Sequence, residues 1–444
     1  MNKFFEIMEF LWGVPLTIFI VLSGLYFSRC IKFLQINGIK KIYNNTIKKL
    51  KRDKNNSFKT ITSVLGGTIG TGNVAGIATA IAIGGPGAIF WMWLIALFSM
   101  ATKMVEVTLS VYYRKKDKNN YIGGPMYYIK AIKSKFGGVL SYIYSIFLLI
   151  YVLCDSGFVQ MNTAATTLLD TFDVSKLLVA IILILIAIII VSGGLNRVSN
   201  VLKKWVPTMV LFYFISSAIV IILNIKNVPT AFIDIFKYAF TPAPIIGGFA
   251  GSSVLSAISK GAARGIFANE SGTGTSTIVH STTNNKPVVQ GMWGIVEVYI
   301  VSFIVCTLTA LLIMTTGVWT NGLNGAPLVL SAFESTYGQI GKYILCFVIV
   351  AFACSTYIGY FYEYTSCIRY LFGEKSIKYL KWIYIIPIIF AIFIPIEMIW
   401  SIADMAVGFI VIPNIISLLL LSGKFKKIYN DGIKEISWYY CSNK

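Results

Sequence analysis

Charge is scarce in these 444 residues, since Asp, Glu, Lys and Arg together make up only 13%. A soluble globule of this length would need far more to coat its surface. With 56% hydrophobic residues and a mean hydropathy of +0.74, a water-soluble fold is excluded. Histidine is almost missing, with His280 alone, which is a poor basis for a catalytic metal. The patterns His-Glu-x-x-His, Gly-x-Ser-x-Gly and the P-loop are absent, so the common zinc-peptidase, serine-hydrolase and nucleotide-hydrolysing chemistries have no footing. The seven cysteines contain no Cys-x-x-Cys pair and lie mostly inside apolar runs. Neither zinc nor a disulfide framework is expected, and they read as small buried hydrophobes. Met1 to Glu9 is too short and too acidic for a signal n-region, so the first apolar run reads as a retained helix.

What is present is a series of long apolar runs, each near the roughly 20 residues that cross a bilayer as a helix. Eleven spans are expected, at about 9–30, 60–83, 86–113, 139–168, 177–195, 204–224, 246–283, 290–317, 341–372, 382–396 and 399–422. The fold class is therefore an all-α polytopic membrane protein. The seventh span is only weakly apolar and is assigned largely by its symmetry with the second. The tenth is short and carries Pro387 and Pro395, which either kink it or mark its ends.

The formal charge of +20 would suit nucleic acid if it were clustered on a recognition element, and it is not. Of 38 Lys and Arg, 30 fall in alternate loops, five fall in the opposite loops, and Lys103, Lys260 and Arg264 fall within spans. That is the positive-inside bias of a membrane protein. It predicts an outside N-terminus, a cytoplasmic C-terminus, the lipid bilayer as surroundings and no nucleic-acid partner.

Two spans are interrupted. Leu65 to Gly76 and Phe267 to Thr275 are crowded with glycine, hydroxyl and amide residues that weaken a helix. Unwound backbone at membrane depth is tolerated only where it lines a protein-enclosed cavity, and matched interruptions in two halves of a chain point to a transporter's binding site. With the first span set aside, the other ten divide five and five, and the broken spans cross in opposite senses, as in an inverted repeat. The expected organisation is an extra helix and basic loop over 1–59, repeats over 60–224 and 246–422, and a cytoplasmic tail over 423–444.

At the first break, Gly70-Thr-Gly-Asn73 frees N–H groups at the start of a half-helix, which suits a carboxylate. The half-helix before it ends in free carbonyls, which suit a cation. The competing reading is a helix-packing notch, since Gly72-x-x-x-Gly76 is a small-residue spacing. At the second break Asn269, Glu270, Ser271 and Thr273 cluster beside Gly272 and Gly274. Glu270 is open to two readings, as a ligand for an amine or cation or as the partner of Arg264. Asp155, Gln160 and Asn162 lie within two turns of the fourth span, and Gln160 is placed to bind a ligand. Ser355 and Thr356 offer hard oxygens for Na⁺ or bonds to their own helix. Lys103 and Glu106 at i, i+3 read as an ion pair, and His280 as a structural hydrogen-bonder near the inner mouth. Glu297, Glu363 and Asp404 are single buried carboxylates, each a hydrogen-bonding group or a proton site.

The run Gly66-Gly-Thr-Ile-Gly-Thr-Gly-Asn-Val-Ala-Gly76 through Trp93 resembles the alanine or glycine:cation symporters, also called sodium:alanine symporters. Ala101 to Thr108, Gly123 to Tyr127, Ala263 to Gly272, Gln290 to Val298 and Ile402-Ala-Asp404 through Pro413-Asn414 resemble the same family. The likeness covers nearly the whole chain. It implies a LeuT-type fold of five plus five inverted helices behind one extra helix, and uptake of small neutral amino acids with Na⁺ or H⁺ and no organic cofactor. By position it sets Thr71, Gly72 and Asn73 near the substrate carboxylate, the Thr68 and Phe267 carbonyls near its amine, and Gln160, Asn269 and Gly272 around it. It sets the Gly66 and Ile69 carbonyls with the Ser355 and Thr356 hydroxyls around Na⁺. The chain departs from the family at Tyr360, where a Trp is usual, at Tyr364-Thr-Ser-Cys367, at Gly157, where an Asn is usual, and at Val301, where an acid is usual. The reading is a cation-coupled symporter of alanine or glycine in the cell membrane, with no obligate protein partner. Its rivals are a membrane-embedded enzyme using Glu270, Asp155 or His280, and an amino-acid sensor that binds without transport.

Overall fold

The computed structural model describes residues 14–50, 57–117 and 120–442, and these are helical almost throughout. The start of the first expected span, 9–13, lies outside the described residues. In chain order the main helices begin with α1 (Val14–Cys30), α2 (Ser57–Thr68), α3 (Ala75–Gly84), α4 (Gly87–Tyr112) and α5 (Lys135–Leu153). Then come α6 (Met161–Phe172), α7 (Lys176–Ser192), α8 (Gly194–Leu223), α9 (Val228–Tyr238), α10 (Val254–Asn269) and the single turn α11 (Thr277–His280). The series ends with α12 (Pro287–Val298), α13 (Thr307–Thr316), α14 (Ala326–Tyr337), α15 (Gln339–Phe372), α16 (Ile386–Ala391), α17 (Ile396–Leu420) and α18 (Ser422–Ser442).

Among the described residues, six helical stretches are long and apolar enough to cross a membrane: 87–112, 135–172, 205–223, 287–316, 339–372 and 398–420. The pair α2 and α3, bent by 61° where they meet, makes a seventh, while α1 and α7 are apolar but shorter. Two of the long stretches carry wide π-helical turns, Cys154–Gln160 between α5 and α6 and Tyr299–Cys306 between α12 and α13. Such turns collect at functional sites because they displace side chains from the regular helical register.

Several segments depart from the expected layout. In the stretch expected as the seventh span, which is not among the six long apolar stretches, helix begins at Val254 rather than 246, because 243–252 folds back on itself through the bridges Ala243 to Ser252 and Ile246 to Phe249. Helices α9 and α14 occupy stretches expected to be loop, as does the hairpin of Lys115–Asp117 with Asn120–Ile122. In the tenth span, Lys381–Ile385 winds as a 3₁₀ turn, Pro387 sits in the first turn of α16 and Pro395 stands immediately before α17. Both prolines thus occupy helix starts, where a missing N–H costs nothing. The tail is also helical, and Tyr429 of α18 donates to the Ile31 carbonyl at 3.0 Å.

The core is arranged around α4, which is buried at every residue from Ser99 to Val111 and packs against α1, α10 and α12. Helices α3 and α10 lie side by side, and α10 and the strand before it cap the end of α3. Ser252 Oγ donates to the Gly84 carbonyl at 3.0 Å and Ser256 Oγ to the Ile83 carbonyl at 3.3 Å, satisfying groups a helix end leaves open. Helix α2 meets α15 backbone to backbone, for a Cβ on Gly359 would stand 2.7 Å from Gly67 Cα. Small residues allow this approach where lipid gives helices no hydrophobic drive to associate.

That contact generates a prediction. Gly359→Ala forces α2 off α15 and is expected to cost about 1–3 kcal/mol by overpacking. Gly138→Ala, where a Cβ meets nothing within 4 Å, is expected to be near neutral. Thermal melting of the purified protein in detergent compares the two, and equal midpoints would show that the close approach is not structural.

Candidate functional site

Helix α2 ends at Thr68, and the chain runs extended through Gly70 (φ −132°, ψ −161°) before a 3₁₀ turn over Thr71–Asn73. Two side chains from other elements meet the freed backbone. Gln160 Oε1 accepts from Thr71 N at 3.0 Å and from Thr71 Oγ1 at 2.9 Å. Thr356 Oγ1 donates to the Ile69 carbonyl at 3.4 Å. Glycine at 70 is what admits them, because a Cβ there would stand 2.4 Å from Thr356 Oγ1 and 2.9 Å from Gln160 Oε1.

The second break opens after Asn269. Glu270 takes the left-handed conformation (φ 54°), Gly272 and Gly274 follow at φ 87° and 82°, and helix resumes at Thr277. A non-glycine residue in that conformation persists only where its surroundings hold it. Here Lys103 Nζ from α4 reaches the Glu270 carbonyl at 3.1 Å and Ser276 Oγ at 2.7 Å, spanning the break. Asn414 Nδ2 donates to the Gly272 carbonyl at 2.9 Å, Tyr144 Oη to the Thr273 carbonyl at 2.5 Å and Ser110 Oγ to the Thr277 carbonyl at 3.0 Å. The carbonyls of Glu270, Gly272 and Thr273 are thus bonded by α4, α5 and α17, as buried backbone requires, and Ser110 adds a second donor to the Thr277 carbonyl, which also accepts from Ser281 N.

Between the two breaks lies a small cavity of about 10 Å³, room for roughly one water. Of the residues expected at the site, Thr68, Gly72, Asn73, Gln160, Phe267, Thr356 and Tyr360 line it, joined by Asp155 and Glu270. Asn73 Nδ2 is buried with no protein acceptor. The Phe267 ring covers Gly72 and packs edge-on against Trp400 with centroids 5.1 Å apart. Thr71 stands behind the cavity on Gln160. Asn269 instead staples the break, donating to Ser302 Oγ at 3.1 Å and accepting from Ser271 N at 2.9 Å. Gly272 faces Val411 and Ile415 of α17. Gly66 lies at the contact of α2 with Gly359, and Ser355 Oγ donates to its own helix at the Phe352 carbonyl, 2.9 Å away.

The charged groups pair differently from their sequence spacing. Lys103 lies 3.4 Å from Glu297, not paired with Glu106, which accepts from Asn414 at 2.6 Å. Arg264 pairs with Asp404 at 2.8 Å and stacks on the Trp400 ring at 4.0 Å, leaving Glu270 to accept from Tyr360 Oη at 2.9 Å and from Thr275 Oγ1. His280 is fully buried rather than at an open mouth, with Nε2 2.9 Å from Glu297 and Nδ1 2.6 Å from Gln290 Nε2. The Gln290 oxygen is taken by Asn285 Nδ2 at 2.8 Å, so Gln290 donates to Nδ1 and His280 donates from Nε2 to the carboxylate. Thr68 Oγ1 lies 2.9 Å from the other Glu297 oxygen. Glu297 therefore joins α2, α4 and α11. In the sequence it was one carboxylate among several, and no local spacing marked its partners.

Residues of both breaks, two buried carboxyl groups and an amide donor without a protein partner thus meet around one small cavity. The family model described as the sodium:alanine symporter family matches residues 1–436. The chain is 37% identical over 445 residues to the uncharacterized transporter YflA of Bacillus subtilis, covering 98% of this chain and 94% of that one. It is 30% identical over 427 residues to the sodium/alanine symporter AgcS of Methanococcus maripaludis, covering 94% and 93%. Among solved structures, a manganese transporter of Eremococcus coleocola superposes with a TM-score of 0.56 at 13% identity, over 85% of this chain and 83% of that one, a likeness of fold alone. Matched nearly from end to end by the family model and by a named sodium/alanine symporter, this multi-pass membrane chain belongs to the sodium:alanine symporter family.

Proposed function

We propose that the chain imports small neutral amino acids, alanine or glycine, together with Na⁺ by alternating access. The observation that carries this reading is the pair of unwound segments at one small cavity, lined both by the end of α2 and by Asn73, whose side-chain amide has no protein partner. A zwitterion and a small cation satisfy both at once. In this reading the Gly72 N–H and the Asn73 side-chain amide, just before α3, bind the substrate carboxylate, and Thr71 supports them from behind through its bonds to Gln160. The carbonyls of Thr68 and Phe267 receive its ammonium, and Gln160 holds the first break in shape. Asn269 and Gly272 act from behind, by fixing the second break. The carbonyls of Gly66 and Ile69 and the hydroxyls of Ser355 and Thr356 receive Na⁺, for which hard oxygen ligands are apt. Tyr360, replacing a larger aromatic, sets the depth of the pocket.

The transport cycle in this proposal uses eleven spans, one leading helix followed by five-helix repeats over 60–224 and 246–422, with the N-terminus outside and 423–444 in the cytoplasm. Na⁺ stabilises the outward-facing form by joining α2 to α15, already in contact at Gly67 and Gly359. Substrate then draws Phe267 over the cavity.

Purified protein in proteoliposomes is expected to accumulate labelled alanine or glycine only under an inward Na⁺ gradient, and uptake indifferent to every cation gradient would refute the proposal. Thr356→Ala removes a hydroxyl from a charged ligand, a loss of about 1.5–3 kcal/mol, or roughly 10- to 100-fold. The Na⁺ concentration for half-maximal uptake is expected to rise by that factor, and an unchanged value would place the ion elsewhere. Gln160→Ala orphans the buried Thr71 N–H at a cost of about 1–3 kcal/mol. Its KM for alanine is expected to rise roughly 5- to 100-fold, read from initial rates at saturating Na⁺.

A further inference from the structure

Asp155 and Glu270 are cavity-lining carboxyl groups that the proposed function leaves without a task; among the described residues, Asp155 is the one with no cation beside it. It sits in the π-helical turn between α5 and α6, 1% exposed, and its Oδ1 accepts from Gln160 Nε2 at 2.9 Å. Its Oδ2 lies 3.2 Å from Tyr151 Oη, which in turn lies 3.1 Å from Tyr360 Oη. Tyr360 Oη donates to Glu270 Oε1 at 2.9 Å. Two carboxyl groups on different elements, both lining the cavity, are thus joined through two tyrosine hydroxyls.

Each hydroxyl has one proton to give. That of Tyr360 is given to Glu270, with Asp155 also within its reach, while that of Tyr151 has two acceptors at nearly equal distance. With Asp155 ionised, Tyr151 donates to Oδ2. With a proton on Oδ2, the carboxyl donates to Tyr151, and Tyr151 turns its own proton to Tyr360. The chain takes up a proton by rotating one O–H bond, and no heavy atom has to move.

The surrounding charges make the same demand. Asp155 is faced by Tyr151 and Cys154 from its own helix, by Tyr360 and Glu363 from α15, by Glu270 from the second break and by Tyr384 from the turn before α16. Among the described residues, no Lys, Arg or His lies within ion-pair distance of the Asp155 or Glu270 carboxylates. Lys103 meets Glu270 at its backbone carbonyl and pairs with Glu297. Glu270 has the Lys103 charge nearby, shared with Glu297, whereas Asp155 has no cation beside it, and a carboxylate so placed is costly in a lipid-embedded core. A zwitterionic substrate is neutral and brings Asp155 no counter-charge. The unpaired Asn73 Nδ2 in the same cavity calls for an acceptor, the substrate carboxylate, so Asp155 is not needed for that end.

We propose that Asp155 is a proton-binding site, linked to Glu270 through Tyr151 and Tyr360, and that a proton enters with the amino acid alongside Na⁺. This rests on the symport reading above. The test uses the full chain in proteoliposomes loaded with a pH-sensitive dye, with a fixed inward Na⁺ gradient and alanine or glycine added outside. The wild type is expected to acidify the lumen by about one proton per amino acid carried, and Asp155→Asn to lose at least about 10-fold of that ratio, as removal of the titrating group requires. Wild-type accumulation on the Na⁺ gradient with no proton movement overturns the proton site and leaves the symport reading standing. No gradient-driven uptake by the wild type overturns the symport reading itself. A wild-type proton ratio in Asp155→Asn overturns the assignment. Should that variant carry nothing, Tyr151→Phe decides, since it keeps the carboxyl and breaks the hydroxyl chain. The pH profile of its alanine affinity, measured by calorimetry in detergent, is expected to shift from that of the wild type, and an unchanged profile overturns the proposal.

Discussion

The structure depends on one constraint, that peptide groups released from a helix inside a membrane must find partners that neither water nor lipid supplies. Two helices are interrupted beside one shared cavity, and each interruption exposes several such groups. At the first, Gln160 and Thr356 take the freed N–H and carbonyl around Gly70. At the second, Lys103, Asn414, Tyr144 and Ser110 converge on carbonyls between Glu270 and Thr277. These polar side chains lie in otherwise apolar helices because the unwound backbone would be untenable without them. Beside them, the Asn73 side-chain amide is left without a protein partner.

The same constraint accounts for the burial of charge. A buried ammonium is tolerable only when paired and fully hydrogen-bonded. Lys103 meets both conditions, with Glu297 as counter-charge and the second break as acceptor. Glu297 in turn receives Thr68 from the end of α2 and His280 from the turn after the second break. The two interruptions are therefore tied through one carboxylate. A displacement of α2 cannot leave the second break unchanged without breaking a bond inside a low-dielectric core, where such bonds are strong and their loss expensive. That coupling is the mechanical property a protein needs if one cavity is to open to either side in turn.

Much of the layout was legible beforehand. Span positions follow from hydropathy summed over windows, and breaks follow from glycine and hydroxyl clusters, so both are local properties. Where the layout failed, a longer-range or finer cause intervened. The seventh span lost its first eight residues to a fold-back whose bridges join residues that hydropathy cannot pair. Helices α9 and α14 were read as loops because their apolar faces pack on neighbours without being long enough to register as spans. The π-helical turns left no mark in residue order, yet one of them presents both Asp155 and Gln160 to the cavity.

Residue order by itself determined the solvent, the helical class and the places where helices would fail, because each depends on a short stretch of chain. Only the tertiary structure decided which charge meets which. Thr71 and Gln160 are 89 residues apart, and Thr68 and Glu297 are 229 apart. The i, i+3 spacing of Lys103 and Glu106 suggested a pair that packing overruled, giving Lys103 to Glu297 and Glu106 to Asn414. A buried charge takes the partner that also satisfies its remaining hydrogen bonds, and that choice exists only once distant helices have been brought together.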